Sequence, residues 1–355
     1  MKITFLLNGR GAKPSGGFKV VYEYANGLAR RGNTVTVIHP ARLSMDTPIY
    51  KYPEKTVRFL RRRLDGSYRP DKWFAVDDRV RLKWVPSLKS RYIPSGDIVI
   101  ATAWSTAEWV SLYPSIKGKQ FYLIQHLETF NASEERVLAT WHLPLKKIVI
   151  SRWLQKIAED IGESASYIPN GLDFKAFGVD ANEESRPADT VIMMYHPTEW
   201  KGSTDGLKAL ILVRERVPAL KVLLFGVDPP RRAFPDWISY FENPGQQLLR
   251  KLYNQAGICV GPSWAEGWGL PPAEAMMCGC AVAATDIGGH REFARHEVNA
   301  LLSPAKDPSA LADNILRLIH DEPLRRRLAK AGNAGIQRFT WDKAVDEFEK
   351  TLAGR

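Results

Sequence analysis

The chain has only three cysteines among 355 residues. Cys259, Cys278 and Cys280 lie in apolar segments, and neither their number nor their spacing fits a disulfide framework or a four-ligand zinc site. We therefore expect all three to be buried core residues.

Long apolar runs are absent as well. No stretch approaches the roughly 20 apolar residues of a membrane span, and the apolar start at residues 1–7 is too short for a signal peptide. We therefore expect a cytoplasmic protein. The length exceeds that of one typical domain, and 45% apolar residues suffice for two cores. Two domains of roughly 170 residues each are expected.

Acidic residues are fewer than basic ones, which leaves a net charge of +11. The densest basic block, Arg58–Arg63, continues to residue 81 and is interleaved with aromatic residues. Such a segment suits anionic lipid headgroups or nucleic acid, and a solvated surface loop explains it equally well. No recognition helix or RNA-binding module accompanies it, so we expect no nucleic-acid partner. A peripheral contact with an anionic membrane through 58–81 stays open.

Predicted strands alternate with predicted helices. Apolar runs at 3–7, 34–38, 97–101, 120–124 and 147–150 predict strands, and runs at 191–194, 221–225, 258–260 and 281–284 repeat the pattern. A glycine-rich loop, residues 9–17, leads from the first strand to a helix that ends near Gly32. The fold class is therefore α/β, with two doubly wound halves joined at the turn-prone segment 168–173.

The segment 257–274 carries the clearest functional clue. An apolar strand enters a glycine-rich turn that holds Glu266, and Pro271 and Pro272 mark a helix start, which puts Glu274 in the first helical turn. A strand, a tight loop and a helix N-terminus together favour anions. Two carboxylates there are better suited to accept hydrogen bonds from hydroxyl groups than to bind phosphate. A polar loop followed by a helix-start charge explains the same pattern.

Several motifs resemble one known family in the right order. Residues 262–279 resemble the signature of the family-4 retaining glycosyltransferases (glycosyl transferases group 1), 15–17 their glycine loop, 168–173 their hinge, Lys201-Gly202 their phosphate lysine, and 288–302 their closing motif. The resemblance implies the GT-B fold, two Rossmann-like doubly wound domains facing a central cleft. Residues 1–168 would bind the acceptor and 169–340 the nucleotide-sugar donor. The C-terminal helix, 341–355, would pack back on the first domain.

The resemblance implies roles for the donor domain. Glu274 matches the glutamate that binds the nucleotide ribose, and Glu266 matches the one beside the donor sugar. Lys201 matches the cation that stabilises the leaving diphosphate, although a solvated turn lysine is the alternative. Backbone N–H groups for the sugar or diphosphate would come from Gly267, Gly269 and Leu270.

Residues of the first domain also match. Gly16 and Gly17 would close over the same phosphates. His126, at a strand end, would line the cleft near the sugar, and a structural histidine is the alternative. The catalytic assignments are thus Glu266, His126 and Lys201.

One position departs from the family pattern. An arginine usually precedes the phosphate lysine, but His196 stands there. Either His196, or Arg231 or Arg232, supplies the missing positive charge at the donor, or leaving-group stabilisation is weaker.

The implied reaction transfers a sugar, with retention, from a nucleotide-diphosphate sugar to a glycan or lipid-linked acceptor in cell-envelope or surface polysaccharide synthesis. We expect no cofactor and no metal, since the chain has no Asp-x-Asp. Three alternatives remain open. They are a glycoside hydrolase with two carboxylates, a nucleotide-sugar epimerase of the same fold, and a non-catalytic basic binding protein with a degenerate site.

Overall fold

The computed structural model describes residues 1–43, 53–130, 132–180, 186–229 and 233–354. They form two compact units. Unit 1 comprises Met1–Asn170 with Trp341–Arg355, and unit 2 comprises Gly171–Thr340. Among the described residues, no helix is long and apolar enough to span a membrane.

Unit 1 is built on a seven-stranded parallel sheet with helices between its strands. Its strands are β1 (Lys2–Leu6), β2 (Thr34–Pro40), β3 (Arg81–Val85), β4 (Ile98–Ala101), β5 (Lys119–Ile124), β6 (Lys146–Val149) and β7 (Ala165–Tyr167). Its helices up to residue 170 are α1 (Gly16–Arg30), α2 (Pro53–Asp65), α3 (Trp104–Val110), α4 (Glu134–Trp141) and α5 (Arg152–Asp160). The strand order is β3-β2-β1-β4-β5-β6-β7, so the direction of winding reverses between β1 and β4.

Unit 2 repeats this plan with six parallel strands. They are β8 (Thr190–Met194), β9 (Lys221–Gly226), β10 (Ile238–Glu242), β11 (Ile258–Gly261), β12 (Ala281–Thr285) and β13 (Leu301–Ser303). Its helices are α6 (Ser203–Arg216), α7 (Gln246–Gln255), α8 (Leu270–Met277), α9 (Pro308–His320) and α10 (Glu322–Ile336). The order β10-β9-β8-β11-β12-β13 reverses between β8 and β11. Interior strands are buried along their length because helices cover both faces, which explains their continuous apolar runs.

The last helix, α11 (Trp341–Ala353), packs against α1 of unit 1. The rings of Tyr24 and Phe348 stack with centroids 4.2 Å apart. At the helix surface Arg31 pairs with Asp346, 3.1 Å between Nη1 and Oδ1. A Cβ at Gly27 would lie 2.5 Å from Val345, so the close approach of the two helices requires glycine there.

Two expectations for unit 1 need correction. The glycine-rich loop ends at Ser15, because Gly16 and Gly17 already form the first turn of α1. The basic segment 58–81 is not a continuous surface loop, since α2 occupies its first part.

The aromatic residues of this basic segment are largely buried. Phe59 and Tyr68 form a buried cluster with Trp84, whose ring stacks on that of Tyr68 at 5.4 Å. The ring of Phe74 packs 5.3 Å from that of Tyr22 in α1. These rings therefore stabilise unit 1 instead of facing a partner. The three cysteines are buried, as predicted.

Candidate active site

Two neighbouring loops of unit 2 are in contact where the strand order of its sheet reverses. One follows β8 and holds Lys201, and the other follows β11 and holds Glu266. The backbone N–H of Trp264 donates to the carbonyl of Trp200 at 2.8 Å. Gly202 has a left-handed φ of +65°, and a Cβ there would overlap the carbonyl oxygen of Pro262. Carboxyl ends of strands at such a reversal are the usual ligand sites of open α/β sheets.

Lys201 and Glu266 form an ion pair at this point. The Lys201 ammonium donates to both carboxylate oxygens, at 2.7 Å to Oε1 and 2.9 Å to Oε2. The Ser263 hydroxyl donates to Oε1 at 2.8 Å. Both charged side chains are mostly buried. Burial alone would raise the pKa of Glu266, but the charge and hydrogen bonds of Lys201 outweigh it, so this pKa is lowered. Glu266 is therefore an ionised hydrogen-bond acceptor at neutral pH.

The buried His290 stabilises the loop that holds Glu266. His290 donates from Nδ1 to the carbonyl of Thr285 at 2.8 Å, and the Thr285 hydroxyl donates to the carbonyl of Ser263 at 2.5 Å. Burial lowers the pKa of His290, so the ring is neutral. A Cβ at Gly289 would lie 2.5 Å from the Glu266 carbonyl oxygen. The Gly288–Glu292 motif was recognised in the sequence, but its supporting role depends on these contacts.

The loop that holds Glu266 leads directly into α8. Gly269 is the N-cap, with a left-handed φ of +96°, and a Cβ there would lie 2.6 Å from the ring of His290. Leu270 is the first helical residue, so Gly267 and Gly269 lie in the loop as predicted. Glu274 is buried, but it is the fifth residue of α8 and lies in the second turn instead of the first.

His196 lies at the end of β8, in the loop that leads to Lys201. Its backbone N–H donates to the Ser203 hydroxyl at 2.8 Å, and its Nδ1 accepts from the backbone N–H of Thr198 at 3.1 Å. Burial, followed by the charge of Lys201, lowers the pKa of His196. The imidazole is therefore neutral at pH 7 and supplies no fixed positive charge. Arg231 and Arg232, the other candidates for that charge, lie outside the described residues.

In unit 1, the start of α1 approaches the end of β5. A Cβ at Gly17 would lie 3.6 Å from Oε1 of Gln125, and that oxygen has no hydrogen-bond partner among the described residues. His126 follows and is partly buried, with its Nδ1 2.8 Å from the carbonyl oxygen of Leu127. Its ring lies edge-on to that of Phe130, 5.3 Å between centroids. The structure thus groups Gly17, Gln125 and His126 at the carboxyl edge of the unit 1 sheet.

Glu128 is a titratable group that the sequence did not reveal. Its Oε2 accepts the backbone N–H of Trp104, the first residue of α3, at 2.7 Å. Burial raises its pKa to about 7. No local motif marks this position, because the shift comes from packing between β5 and α3. Shifted groups of this kind are frequent at functional sites.

Part of unit 2 matches a model of a known protein family. Residues 190–321 match the family model of glycosyl transferases group 1. They include Lys201, Glu266, Glu274 and His290.

Two curated glycosyltransferases match parts of the chain. The phosphatidyl-myo-inositol mannosyltransferase of Mycobacterium tuberculosis is 28% identical over 215 residues, covering 55% of this chain and 56% of the relative. The D-inositol 3-phosphate glycosyltransferase of Xylanimonas cellulosilytica is 37% identical over 121 residues, covering 34% and 25%. The chain thus spans about half or less of these relatives' lengths.

Solved structures resemble the whole chain. HepE of Anabaena, in complex with UDP and glucose, has a TM-score of 0.75 at 19% identity and full coverage of both chains. Sucrose-phosphate synthase of Thermosynechococcus elongatus has a TM-score of 0.74 at 18% identity, covering 100% of this chain and 99% of that one. At such low identity the likeness concerns the fold. The chain has the GT-B fold with two Rossmann-like units, as predicted.

Proposed function

We propose that this protein is a retaining glycosyltransferase that uses a nucleotide-diphosphate sugar. The observation that carries the proposal is the Lys201–Glu266 ion pair at the reversal of the unit 2 sheet, inside the segment that matches the family. HepE was solved with UDP and with UDP-glucose, and the mycobacterial relative is named a mannosyltransferase. The HepE complexes support a nucleotide-sugar donor here, and the name of the relative supports sugar transfer.

The roles follow from hydrogen-bonding capacity. An ammonium has three N–H donors, and the two carboxylate oxygens of Glu266 accept hydrogen bonds from two of those of Lys201. The donor diphosphate would accept the third hydrogen bond, and the positive charge of Lys201 would stabilise it. In His196, Nδ1 accepts a hydrogen bond, so its proton lies on Nε2, where it can donate to an oxygen of the donor without a full charge. Glu266 and Glu274 would accept from hydroxyl groups of the sugar and the ribose.

In the proposed reaction, the bond from the sugar C1 to the diphosphate oxygen breaks as the acceptor oxygen bonds to C1 from the same face. The acceptor hydroxyl proton passes to the departing diphosphate oxygen. Neither glutamate then needs to act as a base, which suits a Glu266 that is already engaged by Lys201. We also propose that Lys201 and the backbone N–H groups around Gly269 take the place of a metal ion.

Nucleotide titration tests the donor assignment. We expect one nucleoside diphosphate from a panel of UDP, GDP, ADP and dTDP to bind by calorimetry and to raise the melting temperature. Glu274→Gln should weaken this binding at least about ten-fold, because a charged acceptor of ribose hydroxyls is lost. Glu215→Gln, an exposed change on α6, is the matched control. Absence of binding by every nucleotide and nucleotide sugar at millimolar concentration contradicts the proposal.

Product analysis separates transfer from the related activities. With the nucleotide sugar that binds, a transferase gives an acceptor-dependent product of unchanged anomeric configuration by NMR. A product that forms with water alone indicates a hydrolase. Conversion of the donor sugar without any acceptor indicates an epimerase.

We further propose that α2 docks on an anionic membrane, so that a lipid-linked acceptor of envelope or surface polysaccharide synthesis is presented to unit 1. Val57, Leu60 and Leu64 are exposed at 66%, 49% and 88%. Their spacing puts them on one face of the helix. Exposed Arg58, Arg61 and Arg63 border this stripe. An aliphatic stripe bordered by arginines suits the boundary between headgroups and acyl chains.

Vesicle sedimentation tests the docking of α2. We expect binding to vesicles that contain phosphatidylglycerol, and none to pure phosphatidylcholine. Leu64→Gln should weaken binding about ten-fold, since a buried leucine contributes about 2 kcal/mol. Leu112→Gln, at another exposed leucine of unit 1, should not. Equal losses in both variants, or binding that ignores lipid charge, contradict the proposal.

A further inference from the structure

Unit 2 has a cavity at one edge of its sheet, away from the candidate active site. A cavity of about 420 Å³ opens where β8 and β9 begin, since Thr190 and Lys221 are the first residues of these strands. Its lining residues are Arg186, Pro187, Thr190, Lys221, Leu223, Asn254 and Gln255. Lys201 and Glu266 follow the opposite, carboxyl ends of the strands. A five-residue strand, roughly 15 Å, separates the two edges.

Arg186 gives this cavity its chemical character. Its side chain is buried, at 8% exposure, and Nη2 donates to Oδ1 of Asn254 at 3.0 Å. Nε and Nη1 are buried without a hydrogen-bond partner among the described residues. Buried guanidinium donors that lack both an acceptor and water carry a large desolvation cost. Native structures meet such a cost with a bound ion or an ordered water.

The neighbouring carboxylate does not pair with Arg186. Asp180 is bound by Arg250, with 2.7 Å between Nε and Oδ2. Asn254 links Arg186 to Asp180. Its Oδ1 accepts from Nη2 of Arg186 and from the backbone N–H of Asp180, the latter at 2.8 Å. Among the described residues, no salt bridge involves Arg186 and no carboxylate lines the cavity. Lys221 adds a second, exposed positive charge.

We propose that this cavity binds a phosphate group, either as inorganic phosphate or as the ester of a small metabolite. A phosphate oxygen would accept from Nε and Nη1 of Arg186 after a rotation of the side chain that turns these buried nitrogens toward the cavity, and Lys221 would neutralise charge at the mouth. The cavity exceeds the size of one phosphate, which leaves room for an ester group or water. This site is separate from the proposed donor site and does not depend on the proposed function.

Phosphate titration in a Lys201→Gln background tests the site, because that background weakens any phosphate binding at the donor site. At constant ionic strength, 20 mM inorganic phosphate in place of chloride should raise the melting temperature of unit 2 by about 3 °C. Glycerol 3-phosphate is the second probe. A larger shift with the ester indicates a metabolite ligand, and an equal shift indicates inorganic phosphate. No shift with either probe contradicts the proposal and leaves water as the occupant.

The variants separate Arg186 from general charge effects. Arg186→Met should abolish the phosphate-dependent shift, and it should not lower the melting temperature in chloride, because it removes an uncompensated buried charge. Arg216→Met, at an exposed arginine of the same unit, is the control and should keep the shift. If Arg186→Met does not fold, Lys221→Met should still weaken phosphate binding about five-fold by calorimetry. Undiminished binding in both cavity variants overturns the proposal.

Discussion

Units 1 and 2 share one strand order, yet the carboxyl ends of their sheets are built differently. In unit 2 the loops around Lys201 and Glu266 leave no space for a Cβ at Gly202 or Gly289. In unit 1 the loop after β1 has open space for a Cβ at Gly9, although a Cβ at Gly11 would lie 2.1 Å from the Tyr22 hydroxyl. The same topology therefore combines closely packed glycines beside the Lys201–Glu266 pair of unit 2 with an open position at Gly9 in unit 1.

The largest expected effect comes from adding one methyl group at Gly202 of unit 2, and the same change at Gly9 of unit 1 is the comparison. Gly202→Ala places a Cβ against the Pro262 carbonyl and forces a left-handed φ on alanine, so it should destabilise unit 2 by about 4 kcal/mol. Gly9→Ala in unit 1 should change stability by less than about 0.5 kcal/mol. Calorimetry of the two variants measures both effects. Similar losses at the two positions would break the contrast between the edges.

Two buried lysines sharpen the comparison. Lys201 pairs with Glu266 in unit 2, and Lys147 pairs with Glu163 in unit 1, 2.7 Å between Nζ and Oε2. Lys201→Met should lower kcat/KM about 100-fold, near 3 kcal/mol, because the leaving diphosphate loses its cation. Lys147→Met should cost about 1 kcal/mol of stability and leave nucleotide affinity unchanged. Steady-state kinetics and nucleotide calorimetry distinguish them, and equal kinetic losses would contradict the assignment of Lys201.

A smaller effect is expected for the support beneath the Glu266 loop. His290→Ala removes the hydrogen bond to the Thr285 carbonyl and leaves a void next to Gly269, so it should cost about 2 kcal/mol of stability. Donor KM should rise more than kcat falls, since His290 positions a binding loop. His320→Ala, at an exposed position of α9, should stay within about 0.5 kcal/mol. Unchanged KM in His290→Ala would contradict a positioning role.

The interior strands and the site motif could be predicted from sequence because both are local signals. β1, β4, β8 and β11 are buried on both faces and show as apolar runs. The four edge strands β3, β7, β10 and β13 were missed. β3 and β10 mix charged with apolar residues, and β7 and β13 are only three residues long. Gly16 and Gly17 were placed in a loop, yet they form the first turn of α1.

Long-range relations within the site could not be read from the sequence. The contact between Lys201 and Glu266 spans 65 residues and exists because β8 and β11 are neighbours in register. The neutrality of His196 depends on burial and on the nearby Lys201 charge. The same holds for Arg186, whose missing partners become visible only when α7 and the start of β8 are packed together.

The smallest expected effect concerns pH and unit 1. Burial raises the pKa of Glu128 from an ordinary 4.5 to about 7, so the folded state holds a proton that the unfolded state has lost. This contribution to stability is complete below pH 4.5 and disappears as pH rises through 7. Glu128→Gln keeps a neutral side chain, so it should match the wild type at pH 4.5 and exceed it at pH 8. After allowance for solvent screening we expect about 1 kcal/mol. Urea unfolding at both pH values measures the difference, with exposed Glu135→Gln as the control. Because only a buried carboxyl responds in this way, a pH-independent difference would mean that Glu128 is solvated. It would also mean that the start of α3 packs less closely against the residues after β5 than the hydrogen bond from Trp104 indicates.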